Sequence, residues 1–242
     1  MKVISVNLNG IRSAWKKGFQ EWLKKQDADV TCLQEIRIQE DQLTEEMRNP
    51  DGMTSHYRYA LKKGYAGVGI FSKNHPDRVI REFGCPEIDD EGRFLQADFG
   101  HLSIVSLYLP SGSSGDERQQ FKYTVMDLFE NWLEERRQDG RDYIICGDWN
   151  IAHKQIDLKN KAGQRTLRYV PIKTVRRLAS VFQPDNTAKE AIYAAKWHSL
   201  QNHRATGMSM DRYPPTSAPG LATSNERPKR PYRLKDQCFW VI

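Results

Sequence analysis

The sequence predicts an α/β fold, and three observations support that prediction. Residues 3–9 alternate apolar and polar side chains, as a half-buried strand does. Residues 13–26 then carry large apolar side chains at helical spacing, and a second strand-like run follows at residues 29–35. The long helical pattern over residues 115–139 leads into another short apolar run. Strands alternating with helices in this way are typical of α/β proteins.

The middle of the chain lacks helical periodicity over a long stretch. It begins after a short polar helix predicted at residues 41–47. Turn-forming Gly, Asn, Asp and Pro residues divide the stretch into short apolar segments, which predicts an antiparallel meander. The predicted strands are residues 57–61, 68–72, 78–83, 93–99 and 102–109.

The apolar run that begins at Tyr143 stops at Gly147 and is followed by Asp148 and Asn150. In extended backbone, residues two apart project from the same face. A carboxylate there can accept a proton from water or hold a metal, and a carboxamide can donate to a phosphate oxygen. The pair suits phosphoryl chemistry, although a turn that satisfies backbone donors is the commoner explanation of this spacing taken alone.

Other polar side chains lie where predicted strands end. Asn7 and Asn9 share a face at the end of the first strand. Glu35 ends the second strand, and Tyr108 closes a later one. If these ends converge, Glu35 can anchor a hard divalent cation and Asp148 can activate water, while the amides and the phenol orient a phosphate. The expected cation is Mg²⁺, held through one or two carboxylates. Each residue considered alone is more often structural.

Length and composition indicate one large domain in a reducing compartment. The 242 residues are enough for a sizeable core. No apolar run approaches 18 residues and no signal-peptide pattern is present, so we expect a cytoplasmic protein without a membrane segment. The four cysteines are scattered, and two fall in predicted strands, as is typical of reduced core residues.

The net charge of +6 is unevenly distributed. Residues 161–242 hold 15 basic and 5 acidic side chains, whereas residues 1–160 hold 22 and 26. Seven of the eleven prolines also follow residue 160. The basic character therefore belongs to the last third of the chain, and charge alone indicates little about the substrate.

The strand-end residues belong to longer motifs in a particular order. These are Asn7-Leu8-Asn9-Gly10-Ile11-Arg12, Leu33-Gln34-Glu35, Gly92-Arg93-Phe94, Tyr108-Leu109-Pro110-Ser111-Gly112, Gly147-Asp148-Trp149-Asn150-Ile151-Ala152-His153 and Ile156-Asp157-Leu158-Lys159-Asn160. Together they resemble exodeoxyribonuclease III and its relatives, the magnesium-dependent abasic-site endonucleases of the endonuclease/exonuclease/phosphatase superfamily. The resemblance covers residues 1–160, and the combination is far more specific than any single motif.

The resemblance implies a four-layer α/β sandwich, in which two packed β-sheets are flanked by helices, with residues 1–160 as the N-terminal part of that domain. It implies a DNA-repair hydrolase that cuts 5′ to an abasic site in base excision repair. Many family members also have 3′-phosphodiesterase, 3′-phosphatase and 3′→5′ exonuclease activities. The implied cofactor is Mg²⁺, with Mn²⁺ as a substitute. The implied partner is double-stranded DNA with abasic or blocked 3′ ends, bound by a monomer.

The resemblance also implies a role for each matching residue. Glu35 would be the principal Mg²⁺ ligand, with Asn7 beside the metal. Asp148 would position or deprotonate the attacking water, and Asn150 would stabilise the pentavalent phosphorus. Tyr108 would hydrogen-bond the scissile phosphate. The residues expected near the metal are Asn7, Glu35, Asp148 and Asn150, and the expected DNA contacts are Asn9 and Arg93.

After Asn160 the resemblance ends. The family continues with an R-I-D strand and closes with S-D-H, whose Asp and His complete the site, and neither string occurs here. Residues 175–182 and 189–197 could form helices, but the prolines between residues 206 and 231 disfavour strands. Residues 161–242 are therefore interpreted as a basic, proline-rich and poorly ordered tail that leaves the C-terminal half of the fold incomplete or irregular.

We hypothesise that the reading frame shifts just after codon 160. The sudden loss of resemblance, the jump in charge and the preserved spacing motivate this idea. Translating the other two frames should recover R-I-D and S-D-H, and their absence from both would refute it. The alternative is a divergent C-terminal half, such as a basic nucleic-acid-binding tail.

Two other functions compete with the repair nuclease. Without the Asp-His pair, the chain could be an inactive remnant or a basic nucleic-acid-binding protein, because catalytic groups that act as a unit fail together. The second competing function is that of a superfamily member that acts on phosphoinositide or sphingolipid head groups. The motifs at Tyr108 and Ile156 favour the DNA enzymes over this one.

Overall fold

Two five-stranded β-sheets form the centre of the structure, a computed structural model that describes residues 1–112 and 115–150 and the backbone of residues 192–196 and 237–241. The first sheet contains β1 (Val3–Asn7), β2 (Val30–Gln34), β3 (Thr54–Arg58), β4 (Val68–Ser72) and β9 (Ile192–Lys196). Its strand order is β3-β4-β2-β1-β9. Strand β1 is parallel to both β2 and β9, and β4 is antiparallel to its two neighbours.

The second sheet has the order β10-β8-β7-β6-β5. Its strands are β5 (Arg78–Ile80), β6 (Phe94–Phe99), β7 (Leu102–Tyr108), β8 (Asp142–Asp148) and β10 (Gln237–Val241). Strands β7 and β8 are parallel, so their carboxyl ends meet at the same edge of the sheet. Strands β5, β6 and β7 are antiparallel to one another in turn, and β10 is antiparallel to β8.

The helices cover the outer faces of the sheets. They are α1 (Ile11–Lys16), α2 (Phe19–Gln26), α3 (Glu45–Arg48), α4 (Pro86–Asp90) and α5 (Asp116–Arg136), with 3-10 turns at Glu40–Gln42 and Pro50–Gly52. In the part of the chain that the structure describes, none of these helices combines the length and apolar character needed to cross a bilayer.

Three apolar clusters separate the layers. The first packs α1 and α2 on the first sheet, through residues such as Phe19, Trp22 and Leu33. The second packs α5 on the second sheet, where Trp132 of the helix lies edge-on to Phe94 of β6. The third lies between the sheets and, apart from Tyr108, consists of aliphatic and cysteine side chains: Val3, Val30, Cys32, Ala60, Ala66, Val68, Ile70, Leu95, Ala97, Ile104, Tyr108, Ile144 and Cys146. Strands buried on both faces need apolar residues throughout, which explains the continuous apolar runs in the sequence. The four-layer α/β sandwich is confirmed.

Several predicted elements differ from those observed. The meander predicted over residues 57–109 is divided between the two sheets, because an apolar pattern identifies a strand without identifying its partner. Its first strand also lies earlier, at Thr54–Arg58. The helix predicted over residues 13–26 is two helices, because Gly18 adopts left-handed backbone at φ 84° and interrupts it.

The tail contributes strands where the sequence indicated helices or irregular chain. Strand β9 occupies most of the segment predicted to be helical at residues 189–197, and it pairs along the whole of β1. Pairing with an existing strand satisfies its backbone hydrogen bonds, which local helical propensity cannot anticipate. Strand β10 pairs with β8 in the same manner. Most of residues 161–242, and the proposed change of reading frame after codon 160, lie outside the described residues.

Candidate active site

Four of the predicted site residues lie at the carboxyl ends of strands in the two facing sheets. Asn7 ends β1, and Glu35 directly follows β2, its parallel neighbour. Tyr108 ends β7 and is directly opposite Asp148, which ends β8. Ligand sites of α/β proteins commonly form at such edges, because parallel strands deliver their last side chains to one place.

A hydrogen bond between the sheets joins Asn7 to Asp148. The Asn7 amide nitrogen Nδ2 donates to Asp148 Oδ2 at 2.7 Å, although the two residues are 141 positions apart. Asn7 is fully buried and Asp148 is 4% exposed. The side-chain oxygen Oδ1 of Asn7 accepts a hydrogen bond from the backbone N–H of Asn9 at 3.0 Å. The hydrogen bond from Asn9 therefore fixes which end of the Asn7 amide is the donor, and the hydrogen bond from Asn7 holds the Asp148 carboxylate in one orientation.

Asn150 lies in the turn that follows Asp148. Its backbone N–H donates to Asp148 Oδ1 at 3.0 Å, and its side-chain Nδ2 donates to the Leu109 carbonyl at 2.8 Å. The Asn150 carbonyl accepts a hydrogen bond from the Lys122 ammonium. Both predicted residues of this motif are therefore held in place. Each Asp148 carboxylate oxygen accepts an N–H group, Oδ2 from the Asn7 side chain and Oδ1 from the Asn150 backbone.

Lys122 was missed by the sequence analysis. It is completely buried on α5, three residues before Val125 and four before Met126, which both pack in the core beneath the helix. A lysine at helical spacing within an apolar stripe was a detectable signal, because a buried ammonium requires an acceptor. Here the Asn150 carbonyl is one such acceptor.

Glu35 and Tyr108 form the second contact between the sheets. The Tyr108 hydroxyl donates to Glu35 Oε1, and the same oxygen accepts a hydrogen bond from Arg37 Nη2 at 3.1 Å. Tyr108 is 8% exposed. Burial, reinforced by the nearby Glu35 carboxylate, raises the pKa of the Tyr108 phenol well above its usual range. Tyr108 is therefore a neutral hydrogen-bond donor throughout the physiological range.

Four residues around these contacts adopt left-handed backbone. Their φ angles are 49° for Asn9, 53° for Glu35, 49° for Arg37 and 51° for Asn150. This conformation costs a residue with a Cβ atom about 1–2 kcal/mol, and asparagine tolerates it best. Glu35 and Arg37 have no such advantage, and their loop is held by backbone hydrogen bonds, from Gly10 N to Glu35 O and from Arg37 N to Ala66 O. Strained backbone of this kind is concentrated at functional sites.

The glycine that precedes Asp148 is required by close packing. A Cβ atom at Gly147 would lie 2.6 Å from the carbonyl oxygen of Leu107 on the paired strand β7. Any side chain would therefore push β8 away from β7 at the residues just before Asp148 and Tyr108, which are opposite one another.

A polar bridge between the sheets lies immediately below the site. Ser5 Oγ donates to Gln34 Oε1, and Gln34 Nε2 donates to Ser106 Oγ, both at 3.2 Å. Ser106 Oγ in turn donates to the Leu33 carbonyl at 2.9 Å. Because all these side chains are buried, the bridge satisfies each polar group and fixes the separation of the sheets beneath Asn7 and Asp148.

The two predicted DNA contacts differ in accessibility. Asn9 is half-buried at the rim of the site, next to Asn7. Arg93 is 2% exposed, and its guanidinium donates to the Tyr108 carbonyl at 2.8 Å and to Glu91. In this structure Arg93 therefore supports Tyr108 from inside the protein, and a direct contact of Arg93 with DNA stays a prediction.

The residues at the site fit a magnesium ion that retains several waters. Glu35 supplies a carboxylate whose side chain is 14% exposed, and Asn7 and Asn150 supply amide groups near Asp148. Within residues 1–112 and 115–150, no three His, Cys, Asp or Glu side chains are arranged to hold a metal. An ion bound there would rely on one or two carboxylates, which is the usual mode for Mg²⁺ and unlike that of structural Zn²⁺.

Two buried tyrosines give the protein a predicted alkaline instability. Burial raises the pKa of Tyr57, whose hydroxyl donates to the Met47 carbonyl at 2.7 Å, just as it raises that of Tyr108. An unfolded tyrosine titrates near pH 10. The contribution of each buried, protonated phenol to the free energy of unfolding is therefore complete below about pH 10 and is lost as the pH rises further. Each group should cost up to about 1.4 kcal/mol of unfolding free energy per pH unit.

Urea unfolding between pH 8 and pH 11 measures this effect. Tyr57→Phe should be less stable than the wild type at pH 8, because it loses a hydrogen bond, and its stability should fall less steeply above pH 10. Equal slopes for the two proteins would contradict the prediction.

Comparison with known proteins places this geometry in a family. The chain is 38% identical over 166 residues to an exodeoxyribonuclease of Bacillus subtilis (strain 168), a match that covers 68% of this chain and 64% of that protein. It is 35% identical over 162 residues to a DNA-(apurinic or apyrimidinic site) endonuclease of Dictyostelium discoideum, covering 66% and 44%. The chain thus spans less than two-thirds of the length of these relatives.

A solved structure shares the fold. An AP endonuclease from Archaeoglobus fulgidus superposes with a TM-score of 0.62 at 23% identity, over 74% of this chain and 68% of that one. The sequence profile of the Endonuclease/Exonuclease/phosphatase family matches residues 4–230. The similarity to exodeoxyribonuclease III and abasic-site endonucleases inferred from the motifs is confirmed, and the chain belongs to the endonuclease/exonuclease/phosphatase family.

Proposed function

We propose that this protein is a Mg²⁺-dependent DNA-repair phosphodiesterase of the exodeoxyribonuclease III type, with Mn²⁺ as a substitute ion. Its proposed substrates are duplex DNA with an abasic site, cut on the 5′ side, and duplex DNA with a blocked 3′ end. The observation that carries the proposal is the meeting of two carboxylates, two amides and a neutral phenol at one edge of the facing sheets. The names of the relatives support the choice of DNA over other phosphate esters.

Each residue has a task in this reaction. Asp148 accepts the proton of the attacking water while the oxygen–phosphorus bond forms and the bond from phosphorus to the leaving O3′ breaks, and the departing O3′ takes a proton from solvent water to become the 3′-hydroxyl. The Asn7 hydrogen bond orients the Asp148 carboxylate for this transfer. Tyr108 remains protonated, and its single O–H, which Glu35 accepts in this structure, would be donated to a phosphate oxygen once substrate is bound. The Asn150 amide donates one N–H to the Leu109 carbonyl, and its second N–H can donate to an oxygen of the pentavalent phosphorus centre.

Glu35, with Asn7, Asp148 and Asn150 near it, would hold the metal. A bound Mg²⁺ would neutralise negative charge on the phosphate and its leaving oxygen. The Arg37 guanidinium lies 3.1 Å from Glu35 Oε1 and would compete with a metal ion for this oxygen. The cytoplasmic location, the monomeric state and the domain boundary at residue 160 stay predictions.

The test is cleavage of a duplex that carries one tetrahydrofuran abasic analogue, with the full chain first shown to be folded by circular dichroism. We expect a single nick 5′ to the lesion in Mg²⁺, loss of that nick in EDTA and its recovery when Mg²⁺ is restored. An undamaged duplex of the same sequence is the substrate control, and a duplex with a 3′-phosphate tests end repair.

The inactive-remnant interpretation predicts the opposite outcome. If the folded chain leaves the abasic duplex intact in both Mg²⁺ and Mn²⁺, then the family fold is present without the activity, and the proposal is wrong. Tight binding of the uncut duplex would then favour a nucleic-acid-binding protein.

A further inference from the structure

A second cluster of charges lies behind the active site, around Glu91. Arg118 makes a two-pronged contact with this carboxylate, with Nη1 2.8 Å from Oε1 and Nη2 2.9 Å from Oε2. Arg93 Nε donates to Oε2 at 2.5 Å. The Tyr65 hydroxyl accepts from both arginines at 3.2 Å. These four side chains come from the loop before β4, the loop before β6 and the first turn of α5.

Arg93 links this cluster to Tyr108. Its Nη1 donates to the Tyr108 carbonyl at 2.8 Å, and its guanidinium carbon lies 4.7 Å from the centre of the Tyr108 ring. The Tyr108 backbone N–H donates to the Arg93 carbonyl at 2.9 Å. Arg93 thus contacts the backbone of Tyr108 on both sides and the face of its ring, a cation–π geometry.

A buried guanidinium requires a counter-ion, and Glu91 supplies it. The Arg93 side chain is only 3% exposed, so without Glu91 its charge would be uncompensated in a region of low dielectric. Burial would raise the pKa of Glu91, but Arg118 and Arg93 lower it overall, so the carboxylate is ionised at neutral pH. Glu35, another carboxylate close to this region, accepts a hydrogen bond from Tyr108.

We propose that Glu91 is a positioning residue for Tyr108, acting through Arg93. Glu91 accepts a hydrogen bond from Arg93, the Arg93 guanidinium packs on the Tyr108 ring, and the Tyr108 hydroxyl donates to Glu35. Each of these side chains orients the next. Arg118 holds Glu91 in place by its bidentate contact, which defines both position and angle. The proposal has a structural part, that Glu91 fixes the position of Tyr108, and a kinetic part, that this position sets the rate of cleavage. Only the kinetic part rests on the proposed function.

The structural part is tested by nuclear magnetic resonance of protein labelled with 13C at the tyrosine ζ carbon. The Tyr108 resonance is identified by its loss in Tyr108→Phe. Glu91→Gln should shift that resonance, because the phenol loses its fixed contact with Glu35. Glu117→Gln removes an equal charge from an exposed residue one position before Arg118, and it should leave the resonance in place. An unmoved resonance in Glu91→Gln would overturn the proposal, whether or not the protein cleaves DNA.

The kinetic part uses the abasic duplex and a double-mutant cycle. Glu91→Gln should lower kcat by roughly 10- to 100-fold, the range seen when a residue supporting a catalytic group is changed, and should alter KM by less than about threefold. In the Tyr108→Phe background, Glu91→Gln should have almost no further effect on kcat. Independent, multiplicative losses would show that Glu91 acts elsewhere and would refute the proposal.

A variant with milder consequences for folding provides a second measurement. Arg118→Lys keeps the positive charge but cannot make the bidentate contact, so it should shift the Tyr108 resonance in the same direction as Glu91→Gln and by less. If it is folded and the resonance does not move, Arg118 does not hold Glu91 in the proposed way. A wild-type protein without nuclease activity would refute the proposed function and leave these resonance measurements decisive for Glu91.

Discussion

Exchanging Asp148 for asparagine is expected to lower kcat for abasic-site cleavage by roughly 10²- to 10⁴-fold, the range typical of losing a general base. The two side chains have nearly the same shape, so the core around β8 should remain intact. The asparagine cannot take a proton from water at neutral pH. One of its ends is also an NH₂ group, which would face either the Asn7 amide or the Asn150 N–H that Asp148 now accepts.

The same strand offers a matched control. Asp142, at the other end of β8, is exposed and far from the site edge, so Asp142→Asn removes an equal charge at no cost to the chemistry. Single-turnover rates at saturating Mg²⁺ would compare the three proteins, with thermal unfolding measured alongside. A folded Asp148→Asn protein with more than about a tenth of the wild-type rate would show that Asp148 is not the general base.

Local patterns in the sequence were sufficient to predict which polar side chains lie where strands end. Alternation along a strand identifies which side chains share a face, and the end of an apolar run marks the edge of a sheet. Asn7, Glu35, Tyr108 and Asp148 were found in this way, and the structure brings them together in two contacts. The motifs added the four-layer arrangement, which periodicity alone could not have distinguished from a single open sheet.

The contacts themselves could not be predicted from local patterns. Asn7 and Asp148 are 141 residues apart, and Tyr108 is 73 residues from Glu35. Which sheet a strand joins depends on the summed packing of both its faces, and this is why the meander was wrongly assigned to one sheet. Arg93 illustrates the same limit, because its burial is set by Glu91, Tyr65 and Tyr108, which approach it from different parts of the fold.

The tail strands flank the two strands that carry the site. Strand β9 pairs with β1, which ends at Asn7, and β10 pairs with β8, which ends at Asp148. Without them, β1 and β8 would each have an open edge of unpaired backbone groups. Whatever the origin of residues 161–242, the described parts of this segment therefore bear on the backbone that presents Asn7 and Asp148.

Glu35 is expected to be the residue on which metal affinity depends. Replacing Glu35 with glutamine retains an oxygen that can accept from Tyr108 and Arg37 but removes the negative charge. Since proteins usually hold Mg²⁺ through one or two carboxylates, losing one should raise the half-saturating Mg²⁺ concentration by at least about tenfold and lower kcat by roughly 10²-fold or more. A titration of cleavage rate against Mg²⁺ concentration measures both effects.

Arg37 provides a control variant that should change the Mg²⁺ requirement in the opposite direction, because its positive charge neutralises the Glu35 carboxylate. Its guanidinium lies 3.1 Å from Glu35 Oε1, and its side chain is 42% exposed, so their ion pair is weak and is readily exchanged for a cation. Arg37→Gln should therefore leave the half-saturating Mg²⁺ concentration unchanged or lower it by up to about threefold. If Glu35→Gln and Arg37→Gln shift the Mg²⁺ requirement in the same direction and to a similar extent, then Glu35 acts through the shape of its loop and not as the metal ligand.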